Sequence, residues 1–384
     1  MDKCTGQAVG VDISDRSCEI ALLDAEGNEL ETAKVATTQE AILRYFRKLE
    51  PSRVAMEVGT HSAWMSRIIE ELGHEVYVAN ARKLRAIWDS DFKCDRTDAR
   101  LLAEIVLFRP ALLRPIKHRG EEARLDLMLV RTRSAMVKVR TSLINHVRGT
   151  VKAFGGRMPS SDAVLFHKRE DEIPALLRDL LEPVMKLLKE TTAWIRGYEE
   201  RIAKHLESDP EASRLLQVPN IGPITVLAYM NTIEDPNRFP KANKVASYLG
   251  LVPRRDQSGE QDRQLRITKA GDRDLRTLLV QCAQRTLSNR SGDSDLKRWG
   301  LALAARGGKN AKKRAVVAVA RKLALLLLRL WRTGHKYEAF RSKAGAGVTT
   351  DAPQAPAKIQ VNVGTRARVM RPRVRANKKD AVSA

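Results

Sequence analysis

The first 120 residues alternate short apolar runs with segments of helical spacing, and this alternation limits the fold more than any other feature. The runs QAVGVDIS, RVAMEVG and HEVYVAN have the length and composition of buried strands. The segment CEIALLDAEGNELETAKVAT indicates two strands around a turn at Glu26, Gly27 and Asn28. Helical spacing appears in QEAILRYFRKLE and SAWMSRIIEELG. A mixed α/β domain over residues 5–120 is therefore expected.

The order of these elements narrows the prediction further. Three strands joined by hairpins come first, and strands alternating with helices follow. ARKLRAIWDS and KCDRTDARLLAEIVLF then complete the domain with helical spacing. This is the order of an RNase H-like, or RuvC-like, α/β domain.

The remainder of the chain is predicted to be mostly helical. A three-or-four spacing over residues 121–210 predicts a coiled-coil helical hairpin, although two ordinary amphipathic core helices fit almost as well. Its apolar positions are Met136, Val139, Leu143 and Val147, then Leu180, Val184, Leu187, Thr191, Trp194 and Tyr198. Residues 211–340 form a third, mostly α-helical region. Residues 341–384 are Ala/Pro/Thr-rich and then basic, which predicts a disordered tail that touches nucleic acid nonspecifically.

The charge balance indicates a polyanionic partner. The formal net charge is +23 and the isoelectric point is about 10.1. From Gly345 onward there are eight Lys/Arg and two Asp, a net of +6, so the body of the chain retains +17. Such an excess favours binding to nucleic acid. Aromatic content of 5% argues against a surface that stacks many single-stranded bases.

Cysteine usage and hydropathy exclude several other classes. Four cysteines are scattered without a CxxC pair, which indicates neither a zinc site nor a disulfide framework and fits a reducing cytoplasm. The most apolar stretch, VAVARKLALLLLRLW, is interrupted by Arg321, Lys322 and Arg329. It is too charged to span a bilayer, and no membrane partner is expected.

Four carboxylates form the main candidate for a metal site. Asp12 and Glu57 end apolar strands, and Asp95 and Asp98 share one face of a predicted helix. Acids brought together in this way repel one another unless divalent cations neutralise them, and Mg²⁺ suits an all-oxygen site. Two such ions could hold the attacking and leaving oxygens of a phosphoryl transfer. Each acid alone also fits a turn or a helix cap. Asp89 and Asp91 compete for the third position.

Ser258 is the candidate nucleophile. Ser-Gly is a common pair in loops, so Ser258 is also consistent with an ordinary turn residue. The same segment is crowded with cations, which we expect to contact nucleic acid: Arg254, Arg255, Arg263, Arg266, Lys269, Arg273 and Arg276. Ser247 and Thr268 are the nearby hydroxyls for comparison.

The stretch LLQVPNIGPITVLAYM predicts a helix, a Pro-Asn-Ile-Gly-Pro turn and a second helix. Backbone N–H groups at Ile221, Gly222 and Ile224 would meet phosphate at the helix N-terminus, as in a helix-hairpin-helix motif. An ordinary αα-corner is the alternative.

Together these motifs resemble the insertion-sequence transposases of the IS110 family, including the IS1111 subgroup and the Piv-type DNA invertases. The resemblance rests on VGVDIS, AMEVGTHSAW and KCDRTDARLLAEI near the N-terminus. Further along, it rests on VPNIGPITV, ASYLGLVPRRDQSGE and ITKAGDRDLR. Many relatives have Ser-Ser-Gly-Gly where this chain has Gln257-Ser258-Gly259-Glu260, so Glu260 adds a charge beside the predicted reactive residue.

The resemblance implies a two-part active site. Asp12, Glu57, Asp95 and Asp98 match the acidic tetrad of the family's RuvC-like domain, and Ser258 matches its serine nucleophile. Members attack a phosphodiester of double-stranded DNA and hold the strand covalently during exchange. A structured noncoding guide RNA selects donor and target, and homodimers assemble into tetramers.

Three alternatives remain at this stage. A junction-resolving nuclease would hydrolyse DNA with the tetrad alone and leave Ser258 structural. A non-catalytic nucleic-acid binding protein would need only the basic surface. The stretch VGVDISDRSCEIALLDAEGNEL is also similar to the first phosphate-binding hairpin of sugar kinases and other actin-like ATPases, but the other nucleotide-binding loops of those enzymes are missing from the sequence.

Overall fold

The computed structural model describes residues 6–80, 95–258 and 261–340, without the side chains of residues 95, 256, 258 and 261–264. The predicted helix ARKLRAIWDS, the competing Asp89 and Asp91, and the predicted tail 341–384 lie outside the described residues. The chain divides into two compact units, Met1–His118 and Arg119–Ala384.

The first unit has the predicted mixed α/β architecture. Its elements are β1 (Ala8–Ile13), β2 (Ser17–Leu23), β3 (Glu29–Ala36), α1 (Gln39–Phe46), β4 (Arg53–Glu57), α2 (Ser62–Glu71), β5 (Glu75–Ala79) and α3 (Asp95–Phe108), followed by a 3₁₀ turn at Pro110–Leu113. The sheet order is β3-β2-β1-β4-β5. Strands β1, β2 and β3 pair antiparallel, whereas β4 pairs parallel with both β1 and β5.

Strand alternation gives the sheet two different apolar faces. Val9 and Val11 of β1 are buried in a core shared with α1 and α2. Ala8 lies on the opposite face, in a smaller core with Leu102 and Val106 of α3. Because side chains alternate along a strand, Gly10 and Asp12 share the face of Ala8.

The second unit begins with a long helical hairpin, α4 (Glu121–Ala153) and α5 (Ala175–Glu207). The distal part of the hairpin has its own core, which includes Ile144, Val147 and Leu188. Short 3₁₀ turns at Phe166–Lys168 and Glu170–Glu172 lie in the connection. The proximal ends, through Val130, Ile202 and Leu206, join the larger core of the remaining helices.

The predicted apolar seam of α5 is wrong by one residue. Leu180 is 66% exposed and Trp194 52% exposed, whereas buried positions follow the same alternating steps one residue later. The buried set is Leu181, Met185, Leu188, Thr192, Ile195, Ile202 and Leu206. Thr191 is the one predicted position that is buried. The exposed stripe with Leu180 and the buried stripe with Leu181 both carry apolar residues at coiled-coil spacing. The sequence pattern alone therefore did not decide which stripe faces α4.

A buried ion pair interrupts the hydrophobic packing of the hairpin. The guanidinium group of Arg133 on α4 donates hydrogen bonds to Glu199 of α5, and both side chains are largely buried. Arg140, one helical heptad further along α4, is 7% exposed. Burial and the charge of Arg133 lower the pKa of Arg140. Separating the buried Arg133 from Glu199 would leave two buried charges unpaired, which disfavours pairings of the two helices that break this contact.

The rest of the described second unit packs around one large core. Its helices are α6 (Pro210–Leu216), α7 (Pro223–Ile233), α8 (Asn243–Tyr248), α9 (Arg273–Thr286), α10 (Asp295–Ala305) and α11 (Ala311–Thr333), with a 3₁₀ turn at Pro236–Arg238. Tyr229 is fully buried in this core, and its hydroxyl donates to the carbonyl of Ala324 at 2.7 Å. No described helix combines the length and apolar character required to cross a membrane.

One part of this region is not helical. Strands β6 (Pro253–Ser258) and β7 (Gln261–Ile267) form an antiparallel ribbon where the sequence indicated a polar loop. Arg, Asp and Gln occupy consecutive positions of both strands, so no apolar alternation marked them.

Candidate active site and nucleic-acid interface

Asp12 and Glu57 lie beside each other at the carboxyl edge of the sheet. The parallel register of β1 and β4 runs from Ala8 with Arg53 to Val11 with Met56, and each acid is the next residue on its strand. Neighbouring positions on parallel strands project to the same face, so both acids lie on the face that α3 covers. Both side chains are half-buried.

Helix α3 runs antiparallel to β1, and two glycines show its direction. A Cβ on Gly10 would lie 1.8 Å from the carbonyl oxygen of Ala99, in the first half of α3. A Cβ on Gly27, in the turn beside the start of β1, would lie 3.0 Å from the ring of Phe108, at the end of α3. The N-terminus of α3 is therefore at the carboxyl edge of β1.

This packing brings the start of α3 to the edge that carries Asp12 and Glu57. Asp95 is the first residue of α3, and Asp98 immediately precedes the buried Ala99. Asp98 is half-buried, and the side chain of Asp95 is outside the described residues. The backbone thus brings all four positions to the same edge of the sheet, and their joint role stays a prediction.

The distances between side chains decide whether a metal ion could be held at this edge. Among the described side chains, no three Asp, Glu, His or Cys residues lie close enough to hold a metal ion. The donors at this edge are carboxylate oxygens, which suit a hard divalent cation. The residue types therefore fit Mg²⁺, and the assignment of all four ligands stays a prediction.

His61 was missed by the sequence reasoning. It follows β4, and its Nε2 lies 3.4 Å from the Asp15 carboxylate, which follows β1. Its Nδ1 accepts a hydrogen bond from the Trp64 indole N–H at 3.2 Å, so the neutral ring carries its proton on Nε2. The motif GTHSAW contains this histidine, but only the pairing of β1 with β4 places it at the same sheet edge as Asp12 and Glu57.

Ser258 is the last residue of β6, and its register partner is Gln261 of β7. Gly259 and Glu260, between the two strands, lie outside the described residues. Ser258 is thus at the far end of a ribbon rather than in a loop between helices. Its side chain is not described.

The base of the ribbon is fixed by close backbone contacts. Gly250, at a φ of +67°, leaves no space for a Cβ, which would lie 2.3 Å from backbone atoms of Ala270. Thr268 N–H donates to Val252 O at 2.9 Å, and Lys269 N–H donates to Gly250 O at 3.2 Å. Only glycine fits such a position without strain.

The predicted nucleic-acid contacts divide into exposed cations and one structural arginine. Arg276 donates hydrogen bonds to the carbonyls of Leu249, Ala270 and Asp272, so it holds the base of the ribbon together. The exposed members of the set are Arg254, Arg255, Arg266, Lys269 and Arg273. The side chain of Arg263 is outside the description.

The turn before α7 is compact. Ile221 is buried, and its N–H donates to the carbonyl of Val218 at 3.1 Å. The Ile221 N–H is therefore used in a hydrogen bond within the turn and does not point outward as expected. Gly222 is the N-cap of α7 and Ile224 belongs to its first turn. These two positions carry the remaining predicted phosphate contacts.

Comparison with family models assigns this architecture to the transposases. Residues 9–155 match a model described as a transposase, of the DEDD type found in IS110 elements. Residues 212–298 match the model described as the transposase IS116/IS110/IS902 family. The two matches cover the acidic sheet edge and the basic ribbon respectively.

Full-length relatives agree with these models. The chain is 32% identical over 74% of its length to a Pseudomonas aeruginosa protein named "Probable family 20 transposase", covering 85% of that protein. It is 30% identical over 72% of its length to the transposase for insertion sequence element IS1328 of Yersinia enterocolitica, covering 82%. It is 29% identical over 88% of its length to the transposase for IS1111A of Coxiella burnetii, covering 92%. This chain belongs to the IS116/IS110/IS902 family of transposases.

Proposed function

We propose that this transposase cuts and rejoins double-stranded DNA through a covalent bond between Ser258 and a DNA phosphate, assisted by the acids Asp12, Glu57, Asp95 and Asp98. A RuvC-like first domain would carry the acids, and the helical second region would carry the serine. The observation that carries the proposal is the register of β1 and β4, which sets Asp12 beside Glu57 at the edge reached by α3.

The four acids would hold Mg²⁺, whose charge polarises a phosphate oxygen and lowers the pKa of a bound hydroxyl. Asp12 and Glu57 are fixed by strands and Asp98 by a packed helix. Little reorganisation is then needed when substrate binds, which favours catalysis.

The proposed covalent step conserves atoms and charge. The Ser258 hydroxyl loses its proton as its oxygen bonds to the phosphorus of a DNA phosphodiester. The deoxyribose oxygen on the opposite side leaves and takes up a proton. A DNA hydroxyl then attacks the same phosphorus, which restores a phosphodiester and frees Ser258. The exposed cations of the ribbon, such as Arg254 and Arg266, would bind the phosphate oxygens during both steps.

We further propose that the protein acts as a homodimer that assembles into a tetramer. The support is the second apolar stripe of α5, where Leu176, Leu180, Leu187 and Trp194 are exposed. It has coiled-coil spacing and adjoins the buried seam, so a second helix could pack along it. A structured noncoding RNA as guide for donor and target is supported by the basic charge and by family resemblance.

Gel analysis of covalent adducts tests the central proposal. The wild-type chain, its guide RNA and labelled DNA carrying the element ends would be denatured and separated. Wild type should retain label on the protein band, and Ser258→Ala should lose it. Ser247→Ala is the matched control, because Ser247 is exposed on α8 in the same unit.

The same gel also distinguishes the proposed covalent mechanism from the principal alternative. A junction-resolving nuclease would give cleaved DNA with no protein-linked label in either chain, and would remain active as Ser258→Ala. Adducts at wild-type level in Ser258→Ala would remove Ser258 from the mechanism.

A further inference from the structure

A long segment outside the ribbon is basic and carries no acidic residue. From Lys297 through Tyr337 the sequence contains twelve Lys/Arg and no Asp or Glu. The segment covers α10 from its third residue onward and all of α11. None of its residues belongs to the predicted nucleic-acid contacts of the ribbon or of the turn before α7. The function of its positive charge is therefore not explained by those contacts.

Helix α11 separates this charge from the core. Leu323 and Leu327 are fully buried in the large core. Lys322, Arg329 and Arg332 are exposed on the other side of the helix. Within the described part of the chain, none of these three cations forms an ion pair with a carboxylate. Arg332 also donates a hydrogen bond to the Phe239 carbonyl at 3.4 Å. Cations along one helix face without a carboxylate partner favour an anionic ligand.

A cavity of about 640 Å³ opens beside these cations. Leu296, Leu325 and Leu326 give it apolar walls, and Tyr337 adds an aromatic ring. Lys322, Arg329 and Arg332 also line it. Its size lies in the range of small-molecule sites, about 300–1,000 Å³.

One cation–π contact and two acidic side chains also define the rim. The Lys322 ammonium lies 3.7 Å from the centre of the Trp299 ring, a cation–π contact that holds it in place. Asp295 and Glu338 also line the cavity, so its charge is mixed with a net of +1. The acids lie at the start of α10 and after α11, whereas all three cations belong to α11.

We propose that this cavity binds one unpaired nucleotide, its base against the leucine and tyrosine walls and its phosphate at Arg329 and Arg332. This inference rests on the proposed function only in that the protein acts on nucleic acid. A nucleobase is a planar aromatic ring whose faces stack on apolar and aromatic side chains, and the phosphate is anionic, so the two halves of a nucleotide match the two kinds of wall. A paired, stacked base in a duplex cannot enter without being extruded. The site would therefore hold an end, a bulge or a displaced strand.

Fluorescence anisotropy with full-length protein tests the site without any catalysis. The probes are a short single-stranded oligothymidylate, its RNA counterpart oligouridylate, an abasic strand of equal length and a duplex of equal length. The variants are Arg329→Glu, which reverses one rim charge, and Ala242→Phe, which adds a large side chain to a small residue of the cavity lining. Arg201→Glu is the matched control, since Arg201 is exposed on α5 away from the cavity.

Arg329→Glu and Ala242→Phe should each weaken binding of a single strand by about tenfold, and Arg201→Glu should change it much less. The abasic strand should bind wild type more weakly than a strand with bases, and Ala242→Phe should remove that difference. Tight binding of either DNA or RNA with this pattern supports the site. Two results would overturn the proposal: wild type binding the abasic strand as tightly as the strand with bases, or the variants losing as much affinity for the duplex as for the single strand. Either result would show that this face binds phosphates only.

A second measurement covers the case in which Ala242→Phe does not fold. Wild type would be photocrosslinked to an oligonucleotide carrying 4-thiothymidine, and the linked peptides mapped by mass spectrometry. Crosslinks at Tyr337 or Leu296 support the site, and crosslinks confined to other peptides contradict it. Anisotropy and photocrosslinking measure binding without strand cleavage, so failure of the covalent mechanism would leave both results readable.

Discussion

Asp12 and Glu57 each stand one residue beyond the last register pair of two parallel strands, Val11 with Met56. This relationship makes the two acids neighbours across strands that are about 4.8 Å apart. The acids are 45 positions apart in sequence, and the N-terminus of α3 reaches the same edge because Gly10 permits close packing.

Asp12→Asn should remove strand cleavage and adduct formation in Mg²⁺ while leaving the fold intact. The amide keeps the size of the carboxylate but lacks the charge that a divalent cation requires. Cleavage of labelled element ends gives the measurement, with a loss of about a hundredfold or more. Glu26→Gln is the control, because Glu26 is an exposed acid in the β2–β3 turn. Unchanged activity in Asp12→Asn would contradict the acidic site.

Gly10→Ala should destabilise the first unit by about 3 kcal/mol or more. The added Cβ would lie 1.8 Å from Ala99 O and 2.6 Å from Ala103 N, so α3 would have to move away from β1. Gly149→Ala is the opposite case, since its Cβ meets nothing within 4 Å in the helix α4. That change should stabilise the hairpin by about 0.5–1 kcal/mol. Urea unfolding of both variants checks the two signs, and similar values for both would refute the packing of α3.

Leu180→Glu with Trp194→Glu should reduce oligomer formation without unfolding the hairpin. Both side chains are more than half exposed in the single chain, so the substitutions cost little until a second helix packs there. Light scattering should show a shift toward the monomer. Leu181→Glu, one residue away, should instead unfold the hairpin because Leu181 is 1% exposed. An oligomer that survives the double change would show that another surface mediates assembly.

Acidification should destabilise the first unit through His74. The ring is buried, its Nδ1 accepts the Ser52 N–H at 3.1 Å, and its Nε2 lies 3.2 Å from Phe46 O. Burial lowers the pKa of His74 from its ordinary value of 6.5. As pH falls below 6.5 the unfolded chain takes up the proton first, so stability falls until the lower folded pKa is passed.

Urea unfolding between about pH 7.5 and about pH 5 measures this effect. His74→Gln should be less stable at neutral pH and should lose less stability on acidification than wild type. His167, whose pKa burial also lowers, contributes with the same sign in both chains and cancels in the comparison. Equal pH dependence in the two chains would exclude His74 as the source.

Local patterns were sufficient for most of the secondary structure. The strands β1 to β5 and helices α1 to α3 fall on short apolar runs or on segments with helical apolar spacing, because most of them bury one or both faces in the two cores of the first unit. The acids Asp12 and Glu57 could be proposed because each ends such a strand. The ribbon of Ser258 could not be predicted, because its strands are mostly polar and show no clear apolar periodicity.

The sequence by itself determined the mixed α/β unit, the helical hairpin, the basic charge and the family motifs, since these depend on short-range periodicity and residue type. Tertiary structure decided which of two equally spaced stripes on α5 is buried, because only the ion pair of Arg133 with Glu199 and the packing against α4 distinguish Leu181 from Leu180. It also made Arg276 a structural residue and brought His61 to the acidic edge. Those outcomes depend on contacts between residues far apart in the chain, which no local pattern records.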